Sequence, residues 1–195
     1  MKRIVFFDFF GVISSEVSPI WFRKHYDDKT ADRVKHAIAS LADIGAISEE
    51  ETYQRISDML GVPPAQIARE WDELTVIRTE LLDTIRAIRQ RYPVYLLSNA
   101  IASHLRRILS TYDLEPLFDR IFISSEMEII KPDRAYFEHV VTVLGIDPAE
   151  AVMIDDNPAN LKGAAEAGID GILFTDLPSF LAEFKRYFDT EDLAL

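Results

Sequence analysis

Ile4-Val5-Phe6-Phe7-Asp8-Phe9-Phe10-Gly11 is the stretch on which the fold turns. Four consecutive apolar, strand-forming residues without alternation describe a short strand covered on both faces, as in a parallel sheet. The run stops at an aspartate, and Gly11 marks a turn. A carboxylate at the end of a buried strand must be met by donors or cations, or be used in chemistry. Asp8 is therefore the first candidate nucleophile, although taken alone it is equally a turn former.

Outward from this strand, brief runs rich in Val, Ile, Leu and Phe recur at 94–97, 120–123, 151–154 and 171–174. Helical spacing fills 101–112, 134–144 and 159–167, with Gly145 and Gly168 as stops and Asn157-Pro158 as a cap and first turn. The alternation predicts a doubly wound, Rossmann-like α/β fold with a parallel sheet. Residues 14–93 exceed what one crossover needs. Ser18-Pro19 opens one helix there and Thr30 another. The capping box Ser48-Glu49-Glu50-Glu51 precedes a helix over 52–60 that Gly61 ends. Pro63-Pro64 starts a further helix through Trp71, and 79–91 leads back to the sheet. The reading is a helical cap at 15–78 inserted into an α/β core of 1–14 and 79–195. Entering just after Asp8, it is placed to act as a lid.

The 195 residues suffice for one sizeable core with a smaller module. Lys and Arg number 21 against 33 Asp and Glu, a net charge of −12 that disfavours nucleic acid as a partner. Without cysteine, disulfides, thiolate chemistry and Cys-based zinc sites are excluded. Asp8 splits the apolar run after Met1-Lys2-Arg3, no small-residue cleavage site follows, and no apolar segment is long enough for a bilayer. A soluble cytoplasmic protein, monomer or homodimer, is expected.

Ligands of open α/β sheets bind beyond the carboxyl ends of the strands. Those ends carry Asp8, Ser98-Asn99, Lys131-Pro132-Asp133 and Asp155-Asp156. Singly, each has an ordinary explanation: a helix cap for Ser98-Asn99, a helix-dipole partner for Asp155-Asp156, a solvated amine for Lys131. Together, at successive strand exits, they form a rim of three carboxylates, a hydroxyl, an amide and an amine. Three aspartates in one place repel, and Mg²⁺ with oxygen ligands removes the repulsion and draws in an anionic substrate.

In these positions the chain resembles the haloacid dehalogenase-like hydrolase superfamily. Phe7-Asp8-Phe9-Phe10-Gly11-Val12 corresponds to its first motif, Leu97-Ser98-Asn99 to the second, Lys131-Pro132-Asp133 to the third and 154–160 to the fourth. The insertion resembles the helical cap of bacterial glucose-1-phosphatases and of the phosphatase domain of soluble epoxide hydrolase. The resemblance implies that Asp8 attacks phosphorus and forms an aspartyl-phosphate, while Ser98 and Lys131 hold the phosphoryl oxygens and Asn99 stands with them in substrate binding. It implies Mg²⁺ on Asp8, the main-chain carbonyl of Phe10 and Asp156, with Asp155 acting through water and Asn160 behind them.

Phe10 departs from the pattern. Most phosphatases of the superfamily carry an aspartate there, which protonates the leaving oxygen and later activates water. Such help is worth about 10² to 10⁴ in rate, so slow turnover, or selectivity for activated esters such as sugar 1-phosphates and acyl phosphates, is expected. An aromatic residue at this position also resembles the metal-independent 2-haloacid dehalogenases, though Asp155 and Asp156 argue against that chemistry. A catalytically silent phosphate-binding or regulatory module is the third reading. Substrate choice is expected to depend on lid residues such as Arg23, His25, Tyr53 and Trp71.

Overall fold

Five short strands, Ile4–Phe7 (β1), Val94–Ser98 (β2), Arg120–Ile123 (β3), Ala151–Asp155 (β4) and Asp170–Leu173 (β5), form one parallel sheet in the order β3-β2-β1-β4-β5. The computed structural model describes residues 2–191 and 193, with His36 through its backbone alone. Successive strands are added first to one side of β1 and then to the other, so the topological switch lies beside β1. Phe7 pairs with Ile154, and the Asp8 N–H donates to the Ile154 carbonyl at 2.9 Å. That register delivers Asp8 and Asp155 side by side.

The sheet is entered from a helical insertion: Ser18–His25 (α1), Asp28–Val34 (α2), a π-helical turn at Lys35–Ala39, Ser40–Asp43 (α3), Glu49–Leu60 (α4) and Pro64–Leu74 (α5). Its helices bury a cluster of their own that includes Trp21, Val34, Ile38, Ile56, Ile67 and Trp71. Ser48 caps α4 by accepting the Glu51 N–H, and Gly61, at φ +72°, closes the helix. At α2 the cap is Asp27, which accepts the Thr30 N–H, so the helix begins before Thr30.

Two strands of chain join the insertion to the sheet, and they are tied together. Ser15 Oγ accepts from the Val76 N–H and donates to the Leu74 carbonyl, and the Arg78 guanidinium donates to the carbonyls of Val12 and Ser14 at 2.8 Å each.

The remaining helices are Thr79–Arg89 (α6), Ala102–Thr111 (α7), Ser124–Met127 (α8), Arg134–Leu144 (α9), Pro158–Glu166 (α10) and Leu177–Tyr187 (α11). Side chains of β1 alternate between two layers, as the pleat requires. Val5 and Phe7 pack with residues of α6, α7 and α11, whereas Ile4 and Phe6 pack with residues of α9 and α10.

Two expectations need correction. The link from β3 to β4 holds α8 as well as α9, not one helix. β5 starts one residue earlier than expected, because its ladder with β4 begins at Val152–Asp170 and ends at Asp155–Leu173. Propensity alone does not locate those ends; pairing does.

Candidate active site

Asp8, Asp155 and Asp156 converge at the switch point, and one carboxylate oxygen from each lies within 4.8 Å of the others. Lys131 reaches the same place from the segment after α8. Its Nζ is 3.0 Å from Asp8 Oδ1 and 2.8 Å from Asp155 Oδ2, with the ammonium wholly buried. A buried charge of this kind is tolerated only when paired. Asp8 also accepts the Phe9 N–H at 2.7 Å.

Both oxygens of Asp155 accept hydrogen bonds. Oδ1 accepts from the Asn157 N–H and Asn160 Nδ2, and Oδ2 accepts from Lys131 and Asn160 Nδ2. Asp156 is only partly buried and stands against Gly11. A Cβ on Gly11 would lie 2.2 Å from Asp156 Oδ2, and the glycine has φ +85°, so only glycine lets the turn after β1 close on the carboxylate.

Ser98, the last residue of β2, is fully buried, and its Oγ has no hydrogen-bond partner among the described residues. That leaves an unspent hydroxyl at the end of the strand next to β1, although Ser98 does not line the cavity over Asp8. Neither Ser98 nor Asn99 caps α7, whose first residue follows Ile101. Both ends of the Asn99 amide are taken by the main chain of Lys131, at 2.7 and 2.9 Å.

Burial pushes the Asp8 carboxyl well up from its ordinary 3.8; Lys131 pulls it back and Asp155 adds to the rise. Burial works against the Lys131 ammonium, but the flanking Asp8 and Asp155 outweigh it and raise its pKa. Burial and then Asp155 raise Asp156. The donor set is all oxygen and net negative, and it keeps one exposed edge at Asp156. It fits a hard divalent cation such as Mg²⁺, whose charge offsets the repulsion.

Over this cluster lies a cavity of about 390 Å³ walled by the sheet rim and the insertion. The insertion supplies Glu16, Lys35 and Asp43, which sequence reasoning missed. Burial raises Glu16, with Asp156 adding to it, and lifts Asp43 to about 6. Nothing in their local sequence marks them, because the folding back of the insertion alone brings them here. Of the lid residues singled out, Trp71 lines the cavity. His25 pairs with Glu70 at 3.0 Å, Arg23 is exposed, and the Tyr53 hydroxyl donates to Glu49 at 2.9 Å. Phe10 also lines the cavity, its ring near-parallel to His104 at 6.2 Å between centroids.

Known proteins resemble this chain in sequence and fold. A haloacid dehalogenase-like family enzyme of Bacteroides thetaiotaomicron, solved in complex with magnesium and inorganic phosphate, is 29% identical. The match covers 90% of this chain and 95% of that one, with a TM-score of 0.76. A sesquiterpene phosphatase of Aspergillus oryzae is 28% identical over 148 residues, 73% of this chain and 74% of the relative. A validoxylamine A 7'-phosphate phosphatase of Streptomyces hygroscopicus is 25% identical over 184 residues, 87% of this chain and 84% of the relative. The model of the haloacid dehalogenase-like hydrolases matches residues 2–168, and the chain belongs to that family.

Proposed function

We propose that this chain is a Mg²⁺-dependent phosphohydrolase that acts on a small phosphorylated metabolite through an aspartyl-phosphate on Asp8. The observation that carries the reading is the buried Lys131 ammonium held between Asp8 and Asp155, with Asp156 completing the carboxylate group. The magnesium-phosphate complex of the Bacteroides relative and the phosphatases among the curated relatives support it.

In this mechanism an Asp8 carboxylate oxygen attacks phosphorus, the bond from phosphorus to the ester oxygen breaks, and the electron pair leaves with that oxygen. Water then attacks the phosphoryl group, which restores Asp8 and releases phosphate. Ser98 Oγ and Lys131 hold the phosphoryl oxygens, Asp155 aims the Lys131 ammonium, and Asn99 fixes the backbone that carries it. Asp8, Asp156 and the Phe10 carbonyl would hold Mg²⁺, with Asp155 acting through water, and the bound ion supplies positive charge to the phosphoryl group. Residues 15–78 serve as a cap that shields the site.

Phe10 offers no proton to the leaving oxygen, so turnover is slow or confined to esters whose leaving group is stable without one. The test is phosphate release from a metabolite panel with and without Mg²⁺, for the wild-type chain and for Asp8→Asn. Release that needs both the ion and Asp8 is expected; an unchanged rate in Asp8→Asn would refute the chemistry. Halide release from a 2-haloacid that persists in chelator would point instead to a dehalogenase. An inert wild type that still binds phosphate would point to a silent module.

A further inference from the structure

The two ends of the cavity over Asp8 differ in kind. Around Asp8 and Lys131 the lining is polar, with Asn99, Asp156, Asn157 and Asn160. Glu16, Lys35 and Asp43 add charged groups to the lining. The rest of the lining is mostly hydrocarbon and aromatic, with Phe10, Phe22, Ile38, Ile56, Trp71 and Ile101 set among a few polar side chains, Ser18, Ser40, Thr52 and His104. Phe22, Ile38, Ile56 and Trp71 are members of the buried cluster of the insertion, and Phe10 and Ile101 pack against it. Phe10 packs against the sheet core as well, so it continues the apolar wall to within two residues of the nucleophile.

This end has little to offer a polyol. The Thr52 hydroxyl donates to the Ser48 carbonyl at 2.8 Å, and the ring nitrogens Trp71 Nε1 and His104 Nε2, though without a hydrogen-bond partner among the described residues, have almost no surface open to a ligand. Most hydroxyls of a polyol placed here would lose water with little replacement, whereas hydrocarbon gains by the transfer.

We propose that the leaving group is apolar, so that the substrate class is a phosphate monoester of an apolar alcohol or phenol. The phosphoryl group sits at Asp8 and Lys131, and the hydrocarbon lies among Phe10, Ile38, Ile56 and Trp71. The proposal rests on the phosphohydrolase reading and narrows its substrate. Phe10 then acts as a specificity residue, and the departing alkoxide or phenoxide takes its proton from water.

The test pairs turnover with binding. In Mg²⁺, kcat/KM of the wild-type chain is measured on n-alkyl phosphates from ethyl to octyl, on phenyl phosphate, and on glycerol 3-phosphate and glucose 6-phosphate. Calorimetry measures binding of the same esters to Asp8→Asn. Both quantities are expected to rise about twofold to fourfold per methylene until the cavity is full, with the polyol esters about tenfold or more below alkyl esters of similar size. Ile56→Asp, or Ile38→Thr if the former does not fold, should flatten the slope. A flat series, or polyol esters in front, with Asp8-dependent release intact, overturns this inference alone. Absence of release from every ester overturns the phosphohydrolase reading, and the calorimetric slope then decides this one.

Discussion

Asn99 grips the main chain of Lys131 from both sides: its Nδ2 donates to the Lys131 carbonyl at 2.7 Å, and its Oδ1 accepts the Lys131 N–H at 2.9 Å. The exit of β2 thereby fixes a lysine 32 residues further along the chain. Asn99→Ala leaves two main-chain groups without partners, each worth about 1–3 kcal/mol when buried. The expected result is lower stability in urea and a fall in kcat/KM in steady-state kinetics, because the ammonium that holds the phosphoryl oxygens in the proposed mechanism is displaced.

In the proposed mechanism Phe10→Asp supplies a proton donor two residues after the nucleophile. Turnover of an unactivated ester such as ethyl phosphate should rise by about 10² or more, while esters with very good leaving groups change little. Steady-state kinetics on both classes checks this. The same variant should weaken binding of long alkyl esters, since it interrupts the apolar wall.

Gly11→Ala forces a methyl group to within 2.2 Å of Asp156 Oδ2, at a backbone φ of +85°. Asp156 must retreat or the turn must open. Mg²⁺ affinity, measured by calorimetry, should fall by about tenfold or more, whereas Gly61→Ala, at a glycine with nothing within 4 Å, should leave it unchanged despite its own strain.

Asp43 is raised by burial from an ordinary 3.8 to about 6, with Lys35 opposing and Glu16 adding. A carboxyl whose folded pKa lies above its unfolded one favours folding while both states are protonated, and that advantage is lost as pH rises through the folded value. Asp43→Asn should therefore be more stable than wild type at pH 8 by about 1–3 kcal/mol, and equal to it near pH 3. Urea titrations of the metal-free chain at the two pH values give the comparison.

Ser103, His104 and Arg107 of α7 converge on Glu49 of α4, which accepts from Ser103 Oγ at 2.6 Å and from Arg107 at 2.9 Å. Arg107 also reaches Asp72 on α5 at 3.2 Å. These contacts tie the insertion to the core beside the cavity. Burial opposes the charge on Glu49, but its hydrogen bonds from His104, Arg107, Ser103 and Tyr53 outweigh that and hold the carboxyl below its ordinary range. The tie is therefore present above the ordinary carboxylate pKa and lost as pH falls through the depressed one. Glu49→Gln should loosen α4 from α7 at pH 7, seen as faster amide exchange in both helices, and the difference should vanish in acid.

Much of this molecule was legible along the chain. A run of four apolar residues ending at Asp8, Ser98 at the end of β2, and Asp155-Asp156 at the end of β4 are local patterns, and a parallel strand covered on both faces requires such patterns wherever it occurs. Ser48 and Gly61 bounded α4 for the same reason, since caps act within one turn. Other features were decided only by tertiary structure. Asn99 read as a cap or a ligand, and the fold made it a clamp on Lys131; Glu16, Lys35 and Asp43 carried no local signal; the start of β5 followed its partner strand. The apolar wall that sets Phe10 beside Ile56 and Trp71 unites residues far apart in sequence. Short-range chemistry determines strand, turn and cap from the nearest few neighbours, whereas the character of a cavity depends on which distant surfaces fold against each other.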